Sequence, residues 1–421
     1  MKDYKNKKVA VAGLARSGFA AANLLRDLGA KVWVTDSAST DAMAGLAGDL
    51  RARGIDVESG GHTLDFIRNK DLVVASPGIS DKSQALVWAD ELKIPVISEI
   101  ELAWSLCPAT VIAVTGTNGK TTVTTLIAKV LEAGCARAFA LGNIGRPFSQ
   151  EVKNLRPADF VSLEVSSFQL ERAAAFKPKI SVILNFAPDH LDRYADISEY
   201  LNAKKRIFMN QDKDDYLVLN YDDPVLRGLA KEAGARVVFF GGRQKADEAG
   251  FNLNPNHLAV MAVAEILGAD KNTALEVFRD FKGVEHRLEQ VREIMDVEFV
   301  NDSKATNVDS TVWALRNTHK PVILIAGGKD KNSDYRVIAD LMRRKVRRMI
   351  LIGQAKEKIR SHLDGVLPMM DASSLEEAVS AGFRCARSGD CVLFSPMCAS
   401  FDMFENYEHR GRAFKEIVNK L

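Results

Sequence analysis

Between Val111 and Thr122 an apolar, β-branched run enters a glycine-bearing loop without a spacer: Val-Ile-Ala-Val-Thr-Gly-Thr-Asn-Gly-Lys-Thr-Thr. A segment of helical character, Val123 to Leu131, follows at once. Strand, glycine turn and helix in that order define an α/β unit. Glycines there let backbone N–H groups turn inward around phosphate oxygens, and the helix adds its positive N-terminal end. Gly116, Thr117, Asn118 and Gly119 would form the cradle, with Thr122 at its far side. Lys120 would reach the β- and γ-phosphates of ATP, and the Thr121 hydroxyl would ligand Mg2+. A standard phosphate loop has a further glycine five residues before Gly119, where this chain has Val114. Taken alone, the motif also fits a glycine-rich strand–helix turn with a solvated lysine.

A chain of 421 residues has room for two to four domains of about 100–200 residues each. Apolar residues make up 47% and charged residues 27%, enough to build an ordinary core. The net charge is +2, with no long basic block and only seven tyrosines and four tryptophans, so no nucleic-acid partner is expected. The basic cluster Arg343-Arg344-Lys345 with Arg347-Arg348 reads as a solvated face at a helix-to-strand boundary. The N-terminal Met1-Lys-Asp-Tyr-Lys-Asn-Lys-Lys leads into a strand rather than a signal-peptide core. No apolar run nears about 18 residues, so no membrane partner is expected. Five cysteines without a C-x-x-C pair read as reduced thiols of a cytoplasmic protein.

Three α/β units follow one another. Residues 1–99 alternate strand and helix: Val9–Gly13, Gly18 to Leu28, Lys31–Asp36, Asp71–Ser76 and Pro95–Ser98, a parallel Rossmann-like sheet. Its fingerprint reads Gly13-Leu-Ala15-Arg-Ser-Gly18, with alanine in place of the central glycine that lets a pyrophosphate approach. Asp36, ending the second strand, suits a ribose or base contact. A nucleotide-like ligand without hydride transfer fits these features, and a packing unit with no ligand is the alternative.

Residues 100–283 hold the phosphate loop in a P-loop ATPase-like α/β domain. Its strands Phe160–Glu164 and Ile180–Asn185 end in polar residues, the second followed by Asp189-His190. Ligands of open α/β sheets collect at the carboxyl ends of strands, so Glu164 and His190 join Thr121 as candidate Mg2+ ligands. Lys204, on an expected helix over Asn202 to Phe208, reads from its context as an ordinary surface lysine.

Residues 284–421 form a second doubly wound, dinucleotide-fold-like sheet with strands Val297–Asp302, Pro321–Gly328, Arg348–Gly353 and Cys391–Ser395. Tyr335 to Arg344 and Ser374 to Ala386 read as helices. Lysines, an aspartate and serines at these strand ends would hold an acidic small molecule. Capping of the next helix by Asp302 and Ser303 is the alternative.

Over nearly the whole chain, and in order, these motifs resemble the Mur ligase family. Thr115-Gly-Thr-Asn-Gly-Lys-Thr-Thr122 is similar to its short phosphate loop, and Asn143-Ile-Gly145, Glu164 to Leu170 and Asp189 to Tyr194 also match. The resemblance implies a UDP-substrate site from Gly13, Leu14, Ser17, Asp36, Ser37, Ser76, Pro77, Gly78 and Asn143. Asn301 to Asn307, Ser395 to Asp402, Tyr407 and Arg410-Gly411 look like the D-glutamate-adding members, a sister ligase adding another amino acid being the alternative. They imply D-glutamate contacts from Asp302, Lys304, Thr306, Lys331, Ser400 and Tyr407, and a nucleotide contact from Arg287.

The implied activity is ATP-dependent, ADP-forming ligation of D-glutamate to UDP-N-acetylmuramoyl-L-alanine through an acyl phosphate, in peptidoglycan precursor synthesis. Lys120, Glu164, His190 and Lys204 are the implied catalytic residues, Lys204 as a carbamate that would join the Mg2+ ligands. A monomer is expected. One departure stands out: after Phe239–Gly242 the family has a longer stretch ending in His-Asn-x-x-Asn. Here Ala249 to Asn256 follows almost directly, with Asn252-Leu253 in place of His-Asn. That stretch is either shortened or missing residues, which leaves its adenine contacts unassigned.

Overall fold

The computed structural model describes residues 3–242, 247–248 and 251–421, so part of the short stretch between Gly242 and Asn256 lies outside the described residues. The chain divides into two compact units: Met1–Phe186 with Ser198–Phe281, and Ala187–Ile197 with Lys282–Leu421.

The first unit contains two parallel sheets. One comprises β1 (Lys8–Ala12), β2 (Lys31–Asp36), β3 (Asp56–Ser59), β4 (Leu72–Ala75) and β5 (Val96–Ser98), in the order β3-β2-β1-β4-β5. The other comprises β6 (Thr110–Thr115), β7 (Ala138–Gly142), β8 (Phe160–Glu164), β9 (Ile180–Ile183), β10 (Tyr216–Asn220) and β11 (Arg236–Phe240), in the order β11-β10-β9-β6-β8-β7. Val111 to Val114 are all buried, as expected of a central strand covered on both faces. One apolar cluster runs from Val9 and Leu25 through Ile100 and Leu102 to Phe148 and Val161, so the two sheets share a core. A short hairpin, β12 (Asp247–Glu248) with β13 (Phe251–Asn252), completes this unit.

The second unit is built on β14 (Glu289–Ile294), β15 (Val297–Asn301), β16 (Val322–Gly327), β17 (Val346–Ile352), β18 (Met369–Asp371) and β19 (Cys391–Phe394). The order is β14-β15-β19-β16-β17-β18, with β14 antiparallel to β15 and the other pairs parallel. The expected helix over Tyr335 to Arg344 begins as a 3-10 turn, Tyr335–Ile338, before the α-helix Ala339–Lys345. Among the described residues no helix is long and apolar enough to cross a membrane.

Candidate active site

In the first unit the phosphate loop leaves the carboxyl end of β6, with β8 and β9 on either side. That is where an open sheet leaves a crevice. Gly119 sits at φ +83°, and a Cβ there would come 2.5 Å from Asn256 Oδ1, so both conformation and space require glycine. The helix Lys120–Ala133 starts at the next residue. Asn185, just past β9, clamps the loop: its Oδ1 accepts from the Asn118 amide at 2.8 Å and its Nδ2 donates to the Asn118 carbonyl at 3.0 Å. The Thr117 amide donates to the Asn185 carbonyl at 3.1 Å.

Two lysines converge on the same carbonyl. Lys120 Nζ donates to the Gly116 and Thr117 carbonyls at 3.0 and 2.9 Å, and Lys204 Nζ donates to Gly116 O at 2.8 Å. Lys204 is 1% exposed, which overturns its reading as a surface residue. The helix Ile197–Lys205 turns it inward, over the Tyr200 ring, while Lys205 pairs with Glu232 at 2.8 Å. Tyr200 stacks on Phe186, with ring centroids 5.4 Å apart.

Glu164, also 1% exposed, ends β8 opposite Val114, and its Oε1 accepts from Asn143 Nδ2 at 2.8 Å. The Thr121 hydroxyl is buried and has no hydrogen-bond partner among the described residues. A buried hydroxyl on a phosphate loop, together with a buried carboxylate on the adjacent strand, is an oxygen donor set that fits Mg2+.

At the other sheet of this unit, Gly13 at φ +99° brings the first loop against Ser76, where a Cβ would lie 2.7 Å from Ser76 Cβ. Asp36 holds this loop in place. Its Oδ2 accepts from the Leu14 amide at 2.6 Å and its Oδ1 from the Ala38 amide at 2.8 Å. Ser17 lies in the first turn of the following helix. Ser37 and Gly78 are exposed, and Pro77 partly so.

His190 and Arg287 belong to the second unit, with the residues expected to meet an amino acid. Asp189 is buried, with Lys331 Nζ at 3.4 Å, His190 Nε2 at 3.6 Å and Asn307 Nδ2 donating at 2.8 Å. Burial raises its carboxyl, but Lys331 and His190 outweigh that and hold it at about 2. Lys304 Nζ donates to the Tyr407 hydroxyl at 2.8 Å, and Thr306 turns back on Lys304, its amide donating to the Lys304 carbonyl at 2.9 Å.

Asp302 does not cap the next helix, and neither does Ser303. Asn307 does so, accepting from the Ser310 amide at 2.8 Å. Asp302 instead accepts from Ser395 Oγ at 2.8 Å and from the Leu288 amide at 3.3 Å. Burial pushes its carboxyl up to about 6 against the pull of Arg287, whose Nε has no hydrogen-bond partner among the described residues. Arg410, fully buried, donates to Ser303 Oγ and Ser303 O at 3.0 and 2.8 Å, and to the Cys398 and Ala399 carbonyls at 3.1 and 3.2 Å. It thereby ties the loop of Lys304 to the loop of Ser400.

Family models match almost all of these parts. The Mur ligase MurD-like N-terminal domain matches residues 7–98, the Mur ligase middle domain 114–278 and the Mur ligase glutamate ligase domain 286–398. A UDP-N-acetylmuramoylalanine--D-glutamate ligase of Acidobacterium capsulatum is 42% identical, covering 99% of this chain and 97% of its own. That alignment extends over 446 positions, more than the 421 residues here, so the relative carries residues this chain lacks. The enzyme of the same name from Geotalea daltonii is 40% identical, covering 100% and 98%. Among solved structures, UDP-N-acetylmuramate-alanine ligase of Thermotoga maritima shares the fold at TM-score 0.62 and 20% identity, over 99% of this chain and 100% of that one. MurF ligase of the same organism, in complex with ADP, does so at TM-score 0.62 and 16% identity, covering all of both chains.

Proposed function

The chain belongs to the Mur ligase family, and from that membership we infer that it adds D-glutamate to UDP-N-acetylmuramoyl-L-alanine with conversion of ATP to ADP and phosphate, a step of peptidoglycan precursor synthesis. The observation that carries the reading is the 42% identity to a D-glutamate ligase over 99% of the chain. A carboxylate does not accept an amine directly, because its oxygen is a poor leaving group. Transfer of the γ-phosphoryl group to the L-alanyl carboxylate gives an acyl phosphate. The D-glutamate amine then attacks its carbonyl carbon, losing a proton as phosphate departs.

The roles of individual residues follow from their chemistry. The loop amides of Gly116 to Gly119 bind phosphate oxygens, and Lys120, now folded onto its own loop, turns to meet the transferring phosphoryl group. Thr121, Glu164 and His190 would hold Mg2+, which when bound neutralises charge on the phosphates. Arg287 supplies a nucleotide contact. Lys204, as a carbamate, would present an anion to the metal where an ammonium cannot. Lys304, Thr306, Lys331, Ser400 and Tyr407 give the cations and hydroxyls that two carboxylates call for, and Asp302 supports them.

The loops of Gly13, Asp36 and Ser76, with Asn143, hold the UDP-substrate. Domain limits at 1–99, 100–283 and 284–421 match this division of labour. A cytoplasmic monomer without nucleic-acid or membrane partners completes the reading. The test is the mass of the product formed from UDP-N-acetylmuramoyl-L-alanine, D-glutamate and Mg-ATP. A gain of one glutamyl residue supports the assignment, and unchanged nucleotide substrate refutes it.

A further inference from the structure

The loop that carries Lys331 is shaped by the residue before it. Asp330 accepts from the Asn332 and Ser333 amides at 3.0 and 3.2 Å, from Lys358 Nζ at 2.7 Å and from the Tyr335 hydroxyl at 2.7 Å. Tyr335 is fully buried, and its hydroxyl also lies 3.1 Å from the Cys398 sulfur. A phenol has one proton to give, and the carboxylate can only accept it. The bond with Cys398 therefore runs the other way, the thiol donating to the Tyr335 oxygen. A directed chain results, Cys398 S–H to Tyr335 O–H to the Asp330 carboxylate. It begins two residues before Ser400 and ends one residue before Lys331. The same two loops also pair through their backbones: the Lys329 amide donates to the Ala399 carbonyl at 2.9 Å, and the Ala399 amide returns the bond at 3.0 Å.

We propose that Tyr335 is a positioning residue for the amino-acid substrate, its buried hydroxyl fixing the spacing between the Lys331 loop and the Ser400 loop. This role rests on the assignment of those loops to D-glutamate. The backbone pair joins the loops at Lys329 and Ala399, and the Gly327 amide joins them again at the Pro396 carbonyl, at 2.8 Å. The hydroxyl adds a side-chain link between Cys398 and Asp330, and its bond to a carboxylate is charge-assisted.

The test is steady-state kinetics of Tyr335→Phe with each of the three substrates varied in turn. The variant keeps the ring and its packing and deletes only the link. Loss of one buried hydrogen bond corresponds to about a three- to tenfold change, expected here as a rise in the KM for D-glutamate. The KM values for ATP and for the UDP-substrate should stay at wild-type levels. Asp330→Asn weakens the charge-assisted bond from Tyr335 together with that from Lys358, so it should also raise the KM for D-glutamate. The double variant should be less impaired than the product of the single effects, because the Tyr335 bond is shared by both. Asp330→Asn also stands in if Tyr335→Phe fails to fold. An unchanged KM for D-glutamate in a folded variant overturns the role. So does an equal rise in all three KM values, or a lowered melting temperature alone, either of which describes a merely structural tyrosine. A wild-type enzyme inactive with D-glutamate overturns the functional reading, and this role with it.

Discussion

The Lys204 ammonium lies 2.8 Å from the Gly116 carbonyl oxygen, so a helix far along the chain reaches the first glycine of the phosphate loop. Lys120 donates to the same oxygen at 3.0 Å. Both lysines thus meet at one loop carbonyl, which ties the helix of Lys204 to the phosphate loop.

Replacing Lys120 by alanine is expected to lower kcat by ~10²–10³, the usual effect of deleting one charge-stabilising donor at a reacting group. Its hydrogen bonds to the Gly116 and Thr117 carbonyls stay within its own loop, and the melting temperature is expected to barely move. Phosphate release above a tenth of the wild-type rate contradicts the role.

Lys204→Ala is expected to lose most activity, and Lys205→Ala to keep it. Among the described residues the Lys205 ammonium pairs with Glu232, a surface contact worth about 0–1 kcal/mol. A carbamate at Lys204 further requires that formate or acetate restore part of the activity of Lys204→Ala, and that the intact protein carry an extra carboxyl mass in bicarbonate buffer. Near-wild-type turnover of Lys204→Ala in CO2-depleted buffer removes the carbamate from the mechanism.

Thr121→Val tests the metal site with two readouts. The hydroxyl is buried without a hydrogen-bond partner among the described residues, so its loss should leave thermal stability unchanged or slightly higher. The Mg2+ concentration needed for half-maximal turnover should rise about tenfold, as a loss of ~1.4 kcal/mol of ligand binding would give. An unaltered Mg2+ requirement excludes this hydroxyl from the ligand set.

Asp302 gives a pH signature. Its carboxyl is raised to about 6 in the folded protein from 3.8, chiefly by burial. Below the unfolded value both states hold the proton and nothing is lost. As pH rises towards the folded value the unfolded chain ionises first, so stability falls, and the cost is complete above about 6. At 1.36 kcal/mol per unit the full cost is on the order of 3 kcal/mol. Asp302→Asn cannot ionise, so its stability relative to wild type should improve between pH 4.5 and 7.5. Denaturant titrations showing a pH-independent difference contradict a raised carboxyl.

Much of the fold was legible from the apolar runs. β1, β2, β4, β5, β6, β8, β9, β15, β16, β17 and β19 all lie on runs read as strands from the sequence. β7, β10, β11, β14 and β18 were not expected, although β10 and β11 are apolar runs too, and for β3 the reason is physical. β3, Asp56–Ser59, is an edge strand with only Val57 buried, so its sequence carries almost no strand signal. The site was legible where local chemistry is dense, as at Gly116 to Thr122. It was not where tertiary context decides: nothing in the sequence around Lys204 distinguishes a buried lysine from a solvated one. Asn185 stood at a strand end, the signal that singled out Glu164, yet its clamp on Asn118 appears only once β9 lies beside β6. Arg410 stood in a motif of the resemblance, but its tie between two loops, like that of Tyr335, joins segments distant in sequence that no spacing rule connects.

The most direct test is phosphate release by the purified enzyme with Mg-ATP, UDP-N-acetylmuramoyl-L-alanine and each of D-glutamate, L-glutamate, meso-diaminopimelate and L-lysine in turn. The assignment requires release with D-glutamate and only background release with the other three. Comparable release with meso-diaminopimelate or L-lysine, or none with D-glutamate, would contradict it.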